Sequence, residues 1–231
     1  MENQHERTEM LLGVAGVEKL KNSKVIVFGV GGVGGHAVEA LARAGVGHIA
    51  LVDSDEVSVS NINRQIIATH KSVGRKKVEV SKERILEINP DATVEEFDIF
   101  FENDTKSKIE FTKYQYIVDA IDSVQSKILL IECAHNAGVP IISSMGTGNK
   151  IDPTKFQVSD ISKTEVCPLA RAVRVRLRKI GINHLKVVYS KELPAAPVSD
   201  GERVVPASVS FVPGVAGMIM AGEVIKDLIK D

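Results

Sequence analysis

Short apolar runs alternate with longer amphipathic segments along the first two thirds of the chain. A continuous apolar run bounded by turn residues is typical of a buried strand, and apolar residues at helical spacing predict a helix packed on one face. Asn89-Pro90 and Gly138 are typical helix stop signals. The pattern predicts strands at residues 25–30, 48–53, 93–99, 116–119 and 139–143, with helices opening at Gly34 and covering residues 74–88 and 123–136.

This alternation predicts an α/β fold with a doubly wound, mainly parallel, Rossmann-like sheet and right-handed crossovers. The pattern is weaker beyond residue 150, where we expect a C-terminal extension packed on the same domain. The whole chain, residues 1–231, is thus expected to form a single domain, with a core at 1–150 and an extension with a C-terminal helix at 151–231. The extension is predicted to contain a strand at 156–161, a basic helix at 169–179, a strand at 185–190, a loop at 194–206 and a final helix ending at 230.

Residues 204–222 are apolar and carry few charges. Hydropathy alone suggests a membrane span, because the stretch is almost long enough to cross a bilayer. Pro206, Pro213, Gly214 and Gly217 suit a strand, a turn and a helix start better than one continuous spanning helix. We expect a buried core segment, with membrane attachment as the less favoured alternative.

The composition is that of an ordinary folded protein, with 44% hydrophobic and 26% charged residues. With 29 Lys plus Arg against 30 Asp plus Glu, the net charge is -1, so any nucleic-acid-binding surface must be local. Cys133 and Cys167 form no C-x-x-C pair, which argues against a zinc site or a disulfide framework. The charged N-terminus lacks the apolar core of a signal peptide, so we expect an intracellular, cytoplasmic protein.

The predicted first strand runs into a glycine-rich turn. Gly29, Gly31 and Gly34 form G-x-G-x-x-G at a helix start, the fingerprint of dinucleotide-binding turns. Glycines let the backbone approach a phosphate closely, and the unpaired N–H groups of the helix start hold its negative charge. Asp53 follows at the end of the second predicted strand, where a carboxylate can accept hydrogen bonds from ribose hydroxyls. The segment therefore predicts a nucleotide site.

A polar loop follows that carboxylate, and a dehydrogenase has no need of it. The loop carries Asp55, Asn61 and Arg64, and Lys77 lies on the next predicted helix. The two cations are placed to neutralise a triphosphate, and Asp122 could hold Mg²⁺, because a hard divalent ion prefers carboxylate oxygen and water. A carboxylate that attacks the α-phosphate would give an acyl-adenylate and pyrophosphate. The loop thus indicates ATP.

Four aspartates, Asp53, Asp55, Asp119 and Asp122, fall at or just beyond the carboxyl ends of predicted strands. Such ends meet at one crevice of a doubly wound sheet, so we expect these side chains to converge. Each residue taken singly has an ordinary explanation. Lys77 could be one charge on an exposed helix face, and Asp119 or Asp122 could cap the next helix. Only the ordered combination favours a functional site.

The ordered motifs resemble the adenylating (ThiF-type) domain of the ubiquitin-activating-enzyme-like superfamily, over roughly residues 5–150. They are G-V-G-G-V-G, then L-V-D-S-D-E-V-S-V-S-N-I-N-R-Q, V-G-R-K-K-V-E, I-N-P and V-D-A-I-D-S. The resemblance implies a nucleotide-binding core and a homodimer in which Arg7 reaches the partner's ATP, so that Arg64, Lys77 and Arg7 are the catalytic cations. It also implies nucleotide contact by Gly31 and Gly34, ribose binding by Asp53, phosphate binding by Asn61, Arg64 and Lys77, a place for Asp55 beside the triphosphate, and Mg²⁺ coordination by Asp122.

Within the superfamily the chain resembles the transfer-RNA threonylcarbamoyladenosine dehydratases, through A-I-D-S-V-Q-S-K, residues 146–164, and P-L-A-R before a basic helix. This resemblance implies ATP-dependent activation of the threonyl carboxylate on a modified adenosine beside the anticodon, and ring closure with net loss of water. A neighbouring nucleophile has a high effective concentration, so no thiol is required.

Two other hypotheses remain open on the sequence. An adenylyltransferase would activate the C-terminal glycine of a ubiquitin-like sulfur carrier, but that branch commonly carries paired zinc cysteines, which this chain lacks. A non-catalytic nucleotide-binding module, or a dehydrogenase that shares only the glycine fingerprint, is the third hypothesis.

The predicted helix at 169–179 is basic. Arg171, Arg174 and Arg178 share one helical face and would form a phosphate-binding stripe for tRNA, although a plain solvated helix also explains them. Cys167 stands at the start of this helix, where a thiolate would be stabilised. One interpretation is a sulfur relay with a cysteine desulfurase or sulfur acceptor as partner. The favoured interpretation is a helix-start residue without a catalytic role.

Overall fold

Seven strands form one sheet in the computed structural model, which describes residues 3–196 and 206–230. Numbered along the chain, they are β1 (Lys24–Phe28), β2 (His48–Val52), β3 (Thr93–Phe97), β4 (Tyr116–Asp119), β5 (Ile141–Ser144), β6 (Phe156–Asp160) and β7 (Lys186–Ser190). Their order across the sheet is β3-β2-β1-β4-β5-β7-β6, and every pairing is parallel except that of β6 with β7. The predicted α/β class and doubly wound, mainly parallel sheet are confirmed.

Helices cover the two faces of this sheet. They are α1 (Glu6–Lys21), α2 (Gly34–Arg43), α3 (Lys77–Ile88), α4 (Val124–Ala137), α5 (Pro168–Lys179) and α6 (Phe211–Ile229). Buried residues of α1, α2, α3 and α6 share one core cluster, and those of α4 and α5 belong to two others. The fold therefore has the helix–sheet–helix layering expected of alternating elements.

Residues of β1 explain why the central strands are continuous apolar runs in the sequence. Val25 and Val27 pack in the layer of α1, α2, α3 and α6, whereas Ile26 and Phe28 pack in the layer of α4. All four side chains are fully buried. Successive side chains in a strand point to opposite faces, so a strand covered on both faces is apolar throughout.

The C-terminal helix packs closely along α2. A Cβ on Gly217 would lie 2.2 Å from the carbonyl oxygen of Val33, so only glycine permits this approach. Val212, Ala216 and Met220 of α6 are buried in the same core. The apolar C-terminal segment is thus core, as expected. Within residues 3–196 and 206–230, none of the helices combines the length and apolar character that a membrane span requires.

Several details differ from the predicted pattern. Helix α1 was not expected, and its helical period is broken by a kink at Gly13, where φ is 78° and ψ is 157°. No strand forms at residues 206–210, because α6 begins at Phe211 and takes Pro213 into its first turn, where a missing N–H costs no helical hydrogen bond. The predicted loop at 194–206 lies largely outside the described residues, which stop at 196 and resume at 206.

Candidate nucleotide site

The glycine turn after β1 lies where the strand order reverses, because β2 is on one side of β1 and β4 on the other. Ligands of open α/β sheets bind in the crevice outside the carboxyl ends of strands at this point. Gly29 has a φ of 83°, and a Cβ on Gly34 would lie 1.8 Å from the Gly29 carbonyl oxygen. At Gly31, by contrast, a Cβ would meet no atom nearer than Gln65 Nε2, at 3.8 Å. The turn is closely packed at Gly34 and leaves room for a phosphate at Gly31.

Backbone N–H groups fix Asp53 directly behind this turn. Its Oδ2 accepts from the Val30 N–H at 2.7 Å, and its Oδ1 accepts from the Asp55 N–H at 2.9 Å. Burial raises the pKa of Asp53 above its ordinary value, while Lys77 and these hydrogen bonds oppose the rise. Each carboxylate oxygen keeps a further lone pair, so Asp53 can still accept from ribose hydroxyls. This geometry supports the predicted ribose role.

Lys77 opens α3 and turns its ammonium toward the same carboxylate. Its Nζ donates to Asp55 Oδ2 at 2.7 Å and lies 3.8 Å from Asp53 Oδ1. The Lys77 side chain is 7% exposed, whereas that of Asp55 is 67% exposed. A lysine this buried is not an ordinary charge on a solvated helix face, because a buried ammonium requires partners. Asp55 therefore holds the Lys77 ammonium near Asp53, at the edge of the predicted phosphate site.

The loop between β2 and α3 carries the predicted arginine over the glycine turn. A Cβ on Gly32 would lie 3.4 Å from Cγ of Arg64, so the arginine stem passes directly above that glycine. Nη1 of Arg64 donates to the Ser60 carbonyl oxygen at 2.9 Å. Asn61 stabilises the loop, because its Oδ1 accepts from the Ser58 N–H at 3.1 Å. The site thus brings Asn61, Arg64 and the glycine turn together.

Asp119, the last residue of β4, and Asp122, three residues further on, have different environments. Asp119 is fully buried, and its Oδ2 accepts from Lys127 Nζ at 2.8 Å and from Ser143 Oγ at 2.5 Å. The expectation that Asp119 opens onto the crevice is wrong, because the carboxylate is part of a core ion pair. Asp122 is exposed, and Ser123 caps α4 in its place. A capping role therefore does not account for Asp122.

The exposed carboxylate of Asp122 fits a magnesium ion that is held mainly by the phosphate oxygens of the nucleotide. The part of the chain at 3–196 and 206–230 has no group of three or more His, Cys, Asp or Glu side chains that could hold a metal ion. Magnesium is commonly bound through one or two carboxylates together with the phosphates of a substrate. Asp122 can supply one such carboxylate.

Sequence reasoning assigns no role to two buried polar side chains near the turn. Gln65 is 6% exposed, and its Oε1 has no hydrogen-bond partner among residues 3–196 and 206–230. Lys127 is fully buried and pairs with Asp119 beneath the crevice. A lysine within the apolar stretch S-K-I-L-L-I is the sequence signal that points to a buried ion pair. A single glutamine in a polar loop gives no comparable signal.

Helix α1 exposes Arg7 beside large apolar side chains. Met10, Leu11 and Val14 are 78%, 84% and 71% exposed. The guanidinium of Arg7 makes no ion pair or hydrogen bond with residues 3–196 or 206–230. The structure therefore places Arg7 on a surface that a monomer leaves uncovered, and the predicted contact with the partner's ATP stays a prediction.

The predicted RNA stripe requires one correction. Arg174 is half-buried, and its Nη1 donates to the carbonyl oxygens of Ile161 and Thr164 at 3.2 Å and 2.9 Å. Its guanidinium holds the preceding turn through Nη1, so Arg174 is fixed by the protein and is not a free cation, although its side chain also lines the open surface along α5. Arg171 and Arg178 are exposed.

The cysteines have the environments of structural residues. Cys167 is 3% exposed and packs with Met145 and Ile161 in a core cluster. Cys133 is half-buried, and burial raises the pKa of its thiol, which disfavours the reactive thiolate. The burial of Cys167 favours its interpretation as a helix-start residue without a catalytic role.

Comparison with known proteins agrees with the fold. The chain is 44% identical to the tRNA threonylcarbamoyladenosine dehydratase of Bacillus subtilis. The alignment has a length of 245 residues and covers 100% of this chain and 96% of that protein. It also matches two crystal structures of the Escherichia coli tRNA N6-threonylcarbamoyladenosine dehydratase TcdA. The complex with AMP has a TM-score of 0.89 at 36% identity, covering 96% of this chain and 92% of that one. The complex with ATP has a TM-score of 0.88 at 34% identity, covering 98% and 93%.

A model of the ThiF family matches residues 5–231, which is almost the whole chain. The match therefore includes the glycine turn, the polar loop that carries Arg64, and the C-terminal extension. The chain belongs to the ThiF family.

Proposed function

We propose that this chain is an ATP-dependent tRNA threonylcarbamoyladenosine dehydratase. The relatives of highest similarity described above carry that activity in their names, and the E. coli structures contain AMP or ATP. Within this chain, the observation that carries the proposal is the pair of cations Arg64 and Lys77 beside the glycine turn and Asp53. A dinucleotide site needs the turn and the carboxylate only, whereas a triphosphate needs the cations as well.

Each residue of the site has a role in holding ATP. The turn at Gly31 receives phosphate on backbone N–H groups, and the Asp53 carboxylate accepts from ribose hydroxyls. Arg64 and Lys77 donate to the triphosphate, with Asn61 beside them. The ammonium of Lys77 is held by Asp55 at 2.7 Å, so it is positioned before ATP arrives. Positioned charges stabilise a transition state without reorganising during the reaction.

The chemistry then proceeds in two steps. The threonyl carboxylate of the modified adenosine attacks the α-phosphorus, the bond to the bridging oxygen breaks, and pyrophosphate leaves. Arg64 and Lys77 stabilise the negative charge that develops on this leaving group. The ureido group next attacks the activated carbonyl carbon, the bond to AMP breaks, and the ureido proton is lost to solvent. The ring closes because both partners belong to one nucleoside.

We propose Mg²⁺ as the partner of the nucleotide, with Asp122 as its protein ligand. The ion would supply additional neutralisation of the phosphates. The exposed carboxylate of Asp122, after the carboxyl end of β4, supports this assignment.

We further propose that the enzyme works as a homodimer in which Arg7 of one protomer approaches the ATP of the other. The exposed apolar side chains Met10, Leu11 and Val14 support a partner over α1, because a monomer seldom leaves such a group uncovered. The chain would act as one adenylating domain, since β6 and β7 of the extension belong to the same sheet as the core. We place the reaction in the cytoplasm, where tRNA and ATP are found.

The proposal is tested with tRNA that carries threonylcarbamoyladenosine. Wild-type protein with ATP and Mg²⁺ should release one AMP per modified tRNA and leave an RNA lighter by one water, measured by mass spectrometry. A sulfur-carrier adenylyltransferase would instead exchange pyrophosphate into ATP only after a Gly-Gly-ended partner protein is added. Exchange that depends on such a partner, with unchanged tRNA mass, would overturn the proposal.

A further inference from the structure

Helix α5 has an unusual charge distribution. Its twelve residues include five cations and no carboxylate. Arg174 is engaged by backbone carbonyl oxygens, but the side chains of the other four make no ion pair or hydrogen bond with residues 3–196 or 206–230. We call these four the α5 basic surface: Arg171, Arg176, Arg178 and Lys179. Like charges this close on one helix repel each other, so a bound polyanion would stabilise the surface.

An open cavity of about 630 Å³ lies along this surface. The free cations Arg171, Arg176 and Lys179 line it, as does Arg174, whose Nη1 is engaged by the protein, together with the partly exposed side chains of Val166 and Val175. The one carboxylate in the lining, Glu165, is neutralised by Lys191, whose Nζ lies 2.7 Å from it. The cavity therefore combines unpaired positive charge with a small apolar area, a combination that suits a sugar–phosphate chain.

The surface begins at the same edge of the sheet as the nucleotide site. Cys167, the residue before α5, lies against Gly146. A Cβ added at Gly146 would be 3.7 Å from the Sγ of Cys167. Gly146 follows the carboxyl end of β5, and parallel strands share their carboxyl edge with the glycine turn. A strand of nucleic acid bound along α5 can therefore run toward the crevice that holds ATP.

We propose that the α5 basic surface binds the phosphate backbone of the tRNA beside the reacting nucleoside. This inference rests on the proposed function, and it differs from the predicted stripe by excluding Arg174 and including Arg176 and Lys179. An anionic membrane is a poorer occupant. Membrane-surface helices present large apolar side chains to the lipid, whereas Val173 and Leu177 of α5 are buried in the protein.

The test measures binding of modified tRNA over a series of salt concentrations. One variant carries Arg171→Gln and Lys179→Gln. The matched control carries Lys21→Gln and Lys24→Gln, which remove the same charge from exposed positions at the amino edge of the sheet. Each phosphate contact contributes about 0.7 to 0.9 to the slope of log K against log salt, so the first variant should lose about 1.4 to 1.8 of slope. Its affinity should fall about 10- to 100-fold near 0.1 M salt, with the control unchanged.

A third variant, Arg174→Gln, separates RNA binding from structure. It should lower the thermal unfolding midpoint and leave the salt slope unchanged, because Arg174 donates to the protein itself. Equal slopes for wild type and the Arg171/Lys179 variant would overturn the docking surface, as would an equal loss of slope in the control.

The same proteins distinguish this failure from failure of the proposed function. ATP affinity without RNA should be equal in wild type, the Arg171/Lys179 variant and the control. If wild type converts modified tRNA while the Arg171/Lys179 variant binds it normally, the activity stands and the docking surface is wrong. If the Arg171/Lys179 variant loses the predicted slope but wild type forms no AMP, the surface stands and the proposed activity is wrong. Restoration of turnover in the variant by raised tRNA concentration supports a docking role.

Discussion

The two edges of the sheet use charged side chains in opposite ways. At the amino edge, the Tyr116 hydroxyl donates to Asp227 Oδ2 at 2.8 Å, and Lys186 donates to the same oxygen at 2.6 Å. These partners join β4 and β7 to the C-terminal half of α6. At the carboxyl edge, Lys77 depends on the exposed Asp55, and Oε1 of Gln65 has no partner in the part of the chain that the structure describes. The group formed by Tyr116, Lys186 and Asp227 is closed within the protein, whereas the carboxyl edge has polar groups that a ligand can complete.

This difference separates stability from function. Buried polar groups that satisfy each other hold elements in place, whereas unsatisfied groups in a crevice mark a site that binds something. Substitutions at the amino edge should therefore lower stability with little effect on turnover. Substitutions that remove the crevice cations should lower turnover with a smaller effect on stability.

The sharpest challenge to this separation is Lys127, which lies at the carboxyl edge but in the core. Lys127→Met should lower the free energy of unfolding by about 3–5 kcal/mol, because it leaves the buried Asp119 carboxylate without its cation. Urea unfolding measures the loss. The double variant Asp119→Asn with Lys127→Met should recover much of it, and a single variant as stable as wild type would show that the ion pair is unimportant.

Lys77→Gln should lower kcat about 10²- to 10³-fold, because one positioned donor to the leaving pyrophosphate is removed. Single-turnover AMP formation with modified tRNA measures this effect. Lys82→Gln, a change on the same helix away from Asp53 and Asp55, is the matched control and should retain activity. Comparable losses in both variants would mean that Lys77 acts only through the stability of α3.

Tyr116→Phe should cost about 1 kcal/mol of unfolding free energy, since it deletes one buried hydrogen bond and keeps the ring. Chemical denaturation measures it, and the AMP-forming rate of the folded variant should match wild type. A lowered rate with unchanged stability would contradict the division between the two edges.

The smallest expected effect depends on pH. Burial by itself raises the pKa of Asp227, but hydrogen bonds from Lys186, Lys230 and Tyr116 outweigh it and hold the pKa well below its ordinary value. A carboxyl whose pKa is depressed by folding stabilises the protein above its unfolded pKa of about 3.9, and this contribution is lost as the pH falls further. Asp227→Asn should therefore cost up to about 1 kcal/mol at neutral pH and progressively less below about pH 4. If the difference in unfolding free energy between wild type and Asp227→Asn were the same at neutral pH and below about pH 4, the ion pair would not be its cause.

The sequence predicted the elements whose pattern has a single physical explanation. Continuous apolar runs identified β1 and β2, and the helix stops at Asn89 and Gly138 set the ends of α3 and α4 closely. Helix α1 was missed because the kink at Gly13 breaks its period. The strand expected before α6 does not form at residues 206–210, because Pro213 is a breaker within a helix but not in its first turn.

Site residues divide along the same principle. The position of Asp53 beside the glycine turn could be predicted, because it follows a strand end. Arg64 and Lys77 were named from the charge of the loop and from the family resemblance; the structure places them near Gly32 and Asp53, and their contacts with ATP stay predictions. The environment of Asp119 could not, because a residue at a strand end can turn either to the crevice or to the core. Likewise, helical spacing placed Arg174 with Arg171 and Arg178, but only tertiary contacts reveal that carbonyl oxygens hold it.

The central claim is that Arg64 and Lys77 hold ATP so that a carboxylate of modified tRNA can be joined to AMP. The most direct test follows AMP and RNA mass in one single-turnover reaction, using wild type and the variant Arg64→Gln with Lys77→Gln, both confirmed as folded by circular dichroism. Wild type should form AMP and an RNA lighter by one water in equal amounts, and the variant should form neither at a measurable rate. Wild-type rates in the folded variant would contradict the account.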